Sequence, residues 1–115
     1  MKKGSTNIHL RKLVSDLHKN KKPIWKRIAN DLERPRRIRR IVNLSRINRY
    51  ANEGETIVVP GKVLGDGIIE KKVEVAAFNF SQSAIEKIKN AGGNVLTIKE
   101  LLDKNPEAKG VKLLG

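Results

Sequence analysis

The chain has 115 residues and no cysteine, which excludes disulfides, thiolate catalysis and cysteine-type zinc sites. Aromatic residues are almost absent too, with one Trp, one Tyr and two Phe, so the core has to be built from Ile, Val, Leu and Ala. Long apolar runs are missing. The longest, Val75-Ala76-Ala77-Phe78, is far short of the roughly 20 residues that cross a bilayer, so no membrane partner is expected. Met1-Lys2-Lys3-Gly4-Ser5-Thr6 is basic but leads into a mixed polar stretch, so no targeting segment and a cytoplasmic location are expected. Acids are scarce in one place only. Residues 1–50 hold 16 Lys and Arg against Asp16, Asp31 and Glu33, while residues 51–115 hold 9 basic and 9 acidic residues.

What is present follows from that last shortage. The whole net charge of +13 lies in the first fifty residues. Crowding like charges costs self-repulsion and brings no folding benefit. A polyanion covering the basic face recovers the cost through counterion release, so nucleic acid is the expected partner. The length fits one domain with a real core, divided into a basic region at 1–50 and a charge-balanced α/β body at 51–115.

Leu10, Leu13, Val14 and Leu17 recur at helical spacing and predict a helix over 7–19, with Thr6 or Asn7 as its cap and a Lys12–Asp16 pair on the solvated face. Pro23 suits the first position of a second helix, which presents Ile24, Trp25, Ile28, Ala29 and Leu32 on one side and ends before Pro35. Together these form a helical hairpin. A basic extended segment follows, since Pro35, Ile38, Ile41 and Val42 disfavour helix. Asn43 to Tyr50 is expected to form a short helix capped by Asn43 or Ser45.

In the second half, Thr56 to Val59 predicts a strand closed by a Pro60-Gly61 turn. Gly65-Asp66-Gly67 reads as a tight reversal between Lys62–Leu64 and Ile68–Ile69. Lys72 to Ala77 is a further strand and residues 82–91 a helix. Ser81 and Ser83 both suit its cap, Ser83 matching a capping box with Glu86, and Gly92-Gly93 ends it. A strand over Asn94–Leu96 leads into a last helix with a Thr97–Glu100 capping box, stopped by Asn105-Pro106. The order of elements is α/β.

The arginine segment carries the strongest chemistry. Arg34, Arg36, Arg37, Arg39 and Arg40 fall within seven positions with no acid among them, and guanidinium forks bridge phosphate oxygens. Lys19, Lys21, Lys22, Lys26 and Arg27 widen the patch, and Arg46 and Arg49 share a helical face. Trp25 stands on the apolar stripe and reads as core. His9 and His18 are out of phase for one metal site and read as surface residues. Residues 61–67 fall short of a phosphate loop, because Lys62 is followed by Val63 and the first glycine is missing. Those glycines read as turn residues, with Lys62 positioned to approach an RNA backbone. With no nucleophile, acid–base pair or metal cluster visible, neither an enzyme nor a cofactor or small-molecule substrate is expected.

From Asn43-Leu44-Ser45-Arg46-Ile47-Asn48-Arg49, through Val58-Val59-Pro60-Gly61-Lys62-Val63-Leu64-Gly65-Asp66-Gly67, to Val75–Phe78, Phe80-Ser81, Ala84, Ile88 and Ala91-Gly92-Gly93, the chain resembles the large-subunit ribosomal protein family called L eighteen-e. That archaeal and eukaryotic family is related to the bacterial-type ribosomal protein L fifteen. Ending at Gly115 without a basic extension, the chain looks like the short archaeal form. The resemblance implies an irregular β-β-α superhelix joined to the N-terminal hairpin, and a structural role in the large ribosomal subunit. Its partners would be large-subunit ribosomal RNA and neighbouring ribosomal proteins, and Ser45, Arg46, Arg49 and Lys62 would be RNA-binding.

Deleting residues 1–40 is then expected to remove RNA affinity. One rival is a DNA-binding module with residues 7–33 as a helix-turn-helix, although its second helix offers only Lys26 and Arg27 as reading positions. The other is an adaptor that docks on acidic membrane or protein surfaces.

Overall fold

The structure, a computed structural model, describes residues 3–33 and 40–114, with the side chains of 10–33 and 41–114. Five strands, β1 (Arg40–Asn43), β2 (Thr56–Leu64), β3 (Glu74–Phe80), β4 (Asn94–Thr97) and β5 (Val111–Leu113), build one sheet. Every pairing is parallel, and the spatial order is β1-β2-β3-β4. β5 joins at the β1 side. It pairs with Thr56–Val58 and β1 with Gly61–Leu64, so the two strands share one edge of β2 end to end.

That sharing explains Pro60. A proline inside a central strand forfeits a ladder hydrogen bond, but Pro60 falls in the gap between the β5 and β1 pairings. On the other side the register slips between Val59 and Lys62, a bulge against β3. The expected Pro60-Gly61 turn is therefore a bulge in one continuous strand. The reversal expected at Gly65–Gly67 is likewise corrected. The chain does not fold back as a hairpin, Ile68 and Ile69 form no strand, and residues 65–73 cross over to the parallel β3.

A parallel sheet has to be covered on both faces, which makes its strands continuously apolar. Ile57, Val58 and Val59 are all fully buried. Ile57, Val59, Val75 and Ala77 point to one core, closed by Leu44 and Ile47 of α3 (Leu44–Tyr50) and by Ala84 and Ile88 of α4 (Gln82–Asn90). Val58 and Ala76 point to the other. It is closed by Val14 and Leu17 of α1 (Lys3–Lys19), Trp25, Ile28, Ala29 and Leu32 of α2 (Pro23–Leu32), and Ile98, Leu101 and Leu102 of α5 (Ile98–Lys104).

Several local expectations hold. Pro23 opens α2. Trp25 is fully buried, its indole N–H donating to the Pro106 carbonyl at 2.8 Å. Thr97 and Glu100 form the reciprocal capping box of α5, and Gly92, with φ +89°, follows α4. Two caps differ. α1 begins at Lys3, which puts Thr6 and Asn7 inside the helix. Ser81, not Ser83, caps α4, its Oγ accepting from the Ala84 N–H at 3.2 Å.

Candidate nucleic-acid interface

The basic first half does not lie on one face. α1 and α2 cover one side of the sheet, α3 covers the other, and β1 is the edge strand between them. The basic residues therefore wrap around the β1 edge. Arg34, Arg36, Arg37 and Arg39 lie outside the described residues. Arg40 opens β1, its backbone paired with Gly61.

On the α3 side, Ser45, Arg46, Arg49 and Tyr50 are all exposed. The helix is short and has no side-chain cap: Asn43 occupies the N-cap position without bonding to the helix, and its buried Oδ1 finds no partner among the described residues. The glycine loop after β2 does the capping, the Asp66 carbonyl accepting from the Ser45 N–H at 3.2 Å. Lys87 of α4 holds that loop in place, its ammonium donating to the Gly65 carbonyl at 2.7 Å and the Gly67 carbonyl at 3.0 Å. Farther on, Lys71 donates to the Asn48 and Ala51 carbonyls at 2.7 and 2.6 Å, and the Glu70 N–H donates to Asn48 Oδ1 at 3.0 Å. The β2–β3 crossover is thus strapped along α3, and it fixes where Arg46 and Arg49 stand.

Two glycines make the close approach possible. A Cβ at Gly65 would stand 2.0 Å from Ser83 Oγ and 2.9 Å from the Ala84 nitrogen. Gly67 has φ +95°, and its Cβ would stand 2.6 Å from Ser45 Cβ. Gly67→Ala should therefore cost about 1–3 kcal/mol for the left-handed backbone alone, with displacement of α3 added. Urea unfolding measures the cost. A loss below about 0.5 kcal/mol would mean that the loop does not hold α3.

Lys62 is exposed, in register with Ile41 of β1 and Asn79 of β3, both also exposed. This row crosses three strands near their carboxyl ends, where parallel sheets commonly present ligand sites. Val42 and Val63 point to the α3-side core, so their neighbours Ile41 and Lys62 turn to the α1–α2 face, where Lys19, Lys21 and Lys22 gather at the α1–α2 turn and Lys26 and Arg27 are exposed on α2. The structure thus brings Ser45, Arg46 and Arg49 together, and the lysines at 19–22 together, on opposite faces of the sheet.

Ion pairing also differs between the two halves of the chain. In the second half Lys99 lies 3.4 Å from Asp16 and 3.2 Å from Asp103, Lys104 2.6 Å from Glu74 and Lys112 3.3 Å from Glu55, while Lys71 and Lys87 bind carbonyls. Backbone donation from Asn52, followed by the Lys112 ammonium, lowers the Glu55 carboxyl below its ordinary value, and hydrogen bonding to Asp103 raises Lys99. In the first half, Lys12 reaches Asp16 at 4.0 Å and Lys22 reaches Glu107 at 3.2 Å. Lys19, Lys21, Lys26, Arg27, Arg46, Arg49 and Lys62 form no ion pair with a described residue. Five cations of the second half, Lys71, Lys87, Lys99, Lys104 and Lys112, are spent on the fold, whereas most described cations of the first half face solvent.

Tyr50 and the exposed Ile41 and Ile68 went unnoticed in the sequence. An Arg-x-x-Arg-Tyr run on a short helix is the signal that was available for Tyr50. Among the described residues no group of His, Asp and Glu could hold a metal ion, and no helix is long and apolar enough to cross a membrane.

Comparison with known proteins gives a consistent match. The family model described as "Ribosomal protein 60S L18 and 50S L18e" matches residues 2–115. The "Large ribosomal subunit protein eL18" of Methanoregula boonei is 51% identical over 102 residues, 89% of this chain and 84% of that protein. Its counterpart in Archaeoglobus fulgidus is 50% identical over 102 residues, 89% of this chain and 87% of that protein. The one in Sulfurisphaera tokodaii is 46% identical over 111 residues, 96% of this chain and 94% of that protein.

Proposed function

Because the chain belongs to the family of large-subunit ribosomal proteins L18 and L18e, we propose that it binds folded large-subunit ribosomal RNA across the β1 edge of its sheet. Membership makes it a structural constituent of the large ribosomal subunit and not an enzyme. In this reading residues 1–50 are the RNA-binding region and 51–115 the charge-balanced body. α1 and α2 act as one helical hairpin on one side of the edge. The remainder forms the irregular β-β-α superhelical scaffold, and neighbouring ribosomal proteins are further partners.

The observation that carries the RNA reading is the split in ion pairing. Five lysines of the body are engaged by internal acids or carbonyls, while Lys19, Lys21, Lys26, Arg27, Arg46, Arg49 and Lys62 form no ion pair with a described residue. Phosphates supply the missing counter-charges, and arginines that bridge RNA segments distant in sequence fix their packing through backbone and shape contacts. Lys19, Lys21, Lys22, Lys26, Arg27 and Lys62 serve one side, Ser45, Arg46 and Arg49 the other, and Arg34, Arg36, Arg37, Arg39 and Arg40 add their charge to the same region. A helix-turn-helix at 7–33 finds no support in the family match.

Sucrose-gradient sedimentation of a lysate at low and high salt tests the assembly. Stoichiometric migration with the large subunit that survives high salt is expected, and migration at the top of the gradient would overturn it. Arg46→Ala should weaken binding to large-subunit RNA a few-fold and lower the log–log salt slope by roughly 0.7–0.9, the share of one phosphate contact. Its melting temperature should stay unchanged, because Arg46 is exposed and forms no ion pair with a described residue. A large drop in melting temperature would instead mark Arg46 as structural.

A further inference from the structure

Three of the four aromatic side chains belong to the core: Trp25 is fully buried, and Phe78 and Phe80 pack against the two clusters. Tyr50 does not. It is 50% exposed at the end of α3. The Arg46 guanidinium carbon stands 5.6 Å from its ring centroid and that of Arg49 6.0 Å. At those distances the two cations flank the ring and attract its face electrostatically, while half of the residue stays open to solvent.

The backbone that carries the ring is also held in advance. Lys112 donates to the Tyr50 carbonyl at 2.9 Å, Lys71 donates to the Ala51 carbonyl at 2.6 Å, and the buried Ala51 closes α3 through its N–H to the Ile47 carbonyl at 2.9 Å. Glu55, which shares Lys112 with the Tyr50 carbonyl, is already taken by Asn52 and Lys112. What remains is a half-exposed aromatic ring beside two guanidiniums that lack acidic partners among the described residues. An anion carrying a flat apolar ring meets both demands at once.

We propose that Tyr50 is a stacking platform for a single unstacked base of an RNA strand, whose adjoining phosphates are held by Arg46 and Arg49. The inference deepens the RNA-binding reading above and rests on it. It adds recognition of an extruded or unpaired base to the backbone contacts argued there. Bases splayed out of helices are the part of RNA that aromatic side chains read, and phosphates beside them are what guanidinium groups bridge.

The test uses the full chain and two RNA hairpins that differ only by one bulged 2-aminopurine. Stacking is worth about 1–3 kcal/mol per base, so the bulged hairpin should bind about 5- to 150-fold more tightly, with its fluorescence quenched. Tyr50→Leu should erase both the preference and the quenching and leave affinity for the paired hairpin intact. Tyr50→Phe should keep both. A preference that survives Tyr50→Leu, or none in the unaltered protein, would overturn the stacking proposal while binding of the paired hairpin still supports RNA recognition. Absence of binding to either hairpin at low salt would overturn both. In isolated large subunits, ultraviolet irradiation should leave a nucleotide adduct on the peptide containing Tyr50, whereas a protein–protein crosslink from that peptide would identify a protein neighbour and defeat the proposal.

Discussion

Trp25→Ala should lower the free energy of unfolding by about 3–5 kcal/mol, the range for removing a buried aromatic from a packed core. The melting temperature should fall on the order of 12–20 °C at roughly 4 °C per kcal/mol. Trp25 is fully buried and stands in the cluster that joins Val14 and Leu17 of α1 to Val58 and Ala76 of the sheet and to Ile98 and Leu101 of α5. Its indole N–H also reaches the Pro106 carbonyl, which additionally accepts from Asn20 Nδ2 at 3.0 Å. The substitution leaves a cavity and removes one of the two hydrogen bonds to the Pro106 carbonyl. Trp25→Phe, which keeps most of the volume and loses the hydrogen bond, should cost about 1–2 kcal/mol. Calorimetry with urea titration measures both. A loss below 1 kcal/mol for alanine would mean that the two N-terminal helices are not docked on the sheet.

The same packing changes how RNA binding has to be tested. Deleting residues 1–40 removes Val14, Leu17, Trp25, Ile28, Ala29 and Leu32 and strips one face of the sheet. Loss of affinity in that truncation would follow from unfolding as well as from lost charge. Charge has to be removed with the fold left in place.

Replacing Arg36, Arg37, Arg39 and Arg40 together with Gln does so, and it carries the second large effect. Each lost phosphate contact should flatten the log–log salt dependence by roughly 0.7–0.9, so the four together should reduce the slope by up to about 3.6 and weaken binding by orders of magnitude at moderate salt. Only the β1 backbone at Arg40 lies within the described residues, and a Gln there keeps the pairing with Gly61. The prediction therefore rests on charge density alone. Binding isotherms at a series of potassium concentrations measure it, and an unchanged slope would move the contact face away from the β1 edge.

What the sequence made legible follows from how local each signal is. The Pro23 start, the Thr97–Glu100 box and the glycine stop after α4 act within a few residues, and each appears as read. The Trp25 stripe announced a core by its helical spacing. Pro60-Gly61 misled because what spares the proline its missing N–H is the gap between β5 and β1, strands roughly twenty and fifty residues away in the chain. Gly65-Asp66-Gly67 misled for a related reason: these residues fit against Ser45 and Ser83, contacts that no local turn rule contains. β5 was unread because three residues are too short to show a period.

At the interface, charge counting found the basic half but not its division over two faces of the sheet, which depends on where β1 enters. Tyr50 was missed because a lone aromatic beside arginines looks the same in sequence whether it is buried or open.

The strand pairing also has a bearing on synthesis. β2 receives β5 along its first half only when residues 111–113 exist, and the acceptor for Trp25 arrives with residue 106. A nascent chain that has produced every helix still exposes an open strand edge and an indole without its partner. Open edges recruit other strands, and parallel sheets of high sequence separation close slowly. The last ten or so residues therefore act as a completion latch. Chains interrupted before them would keep that edge open and be the ones prone to aggregate.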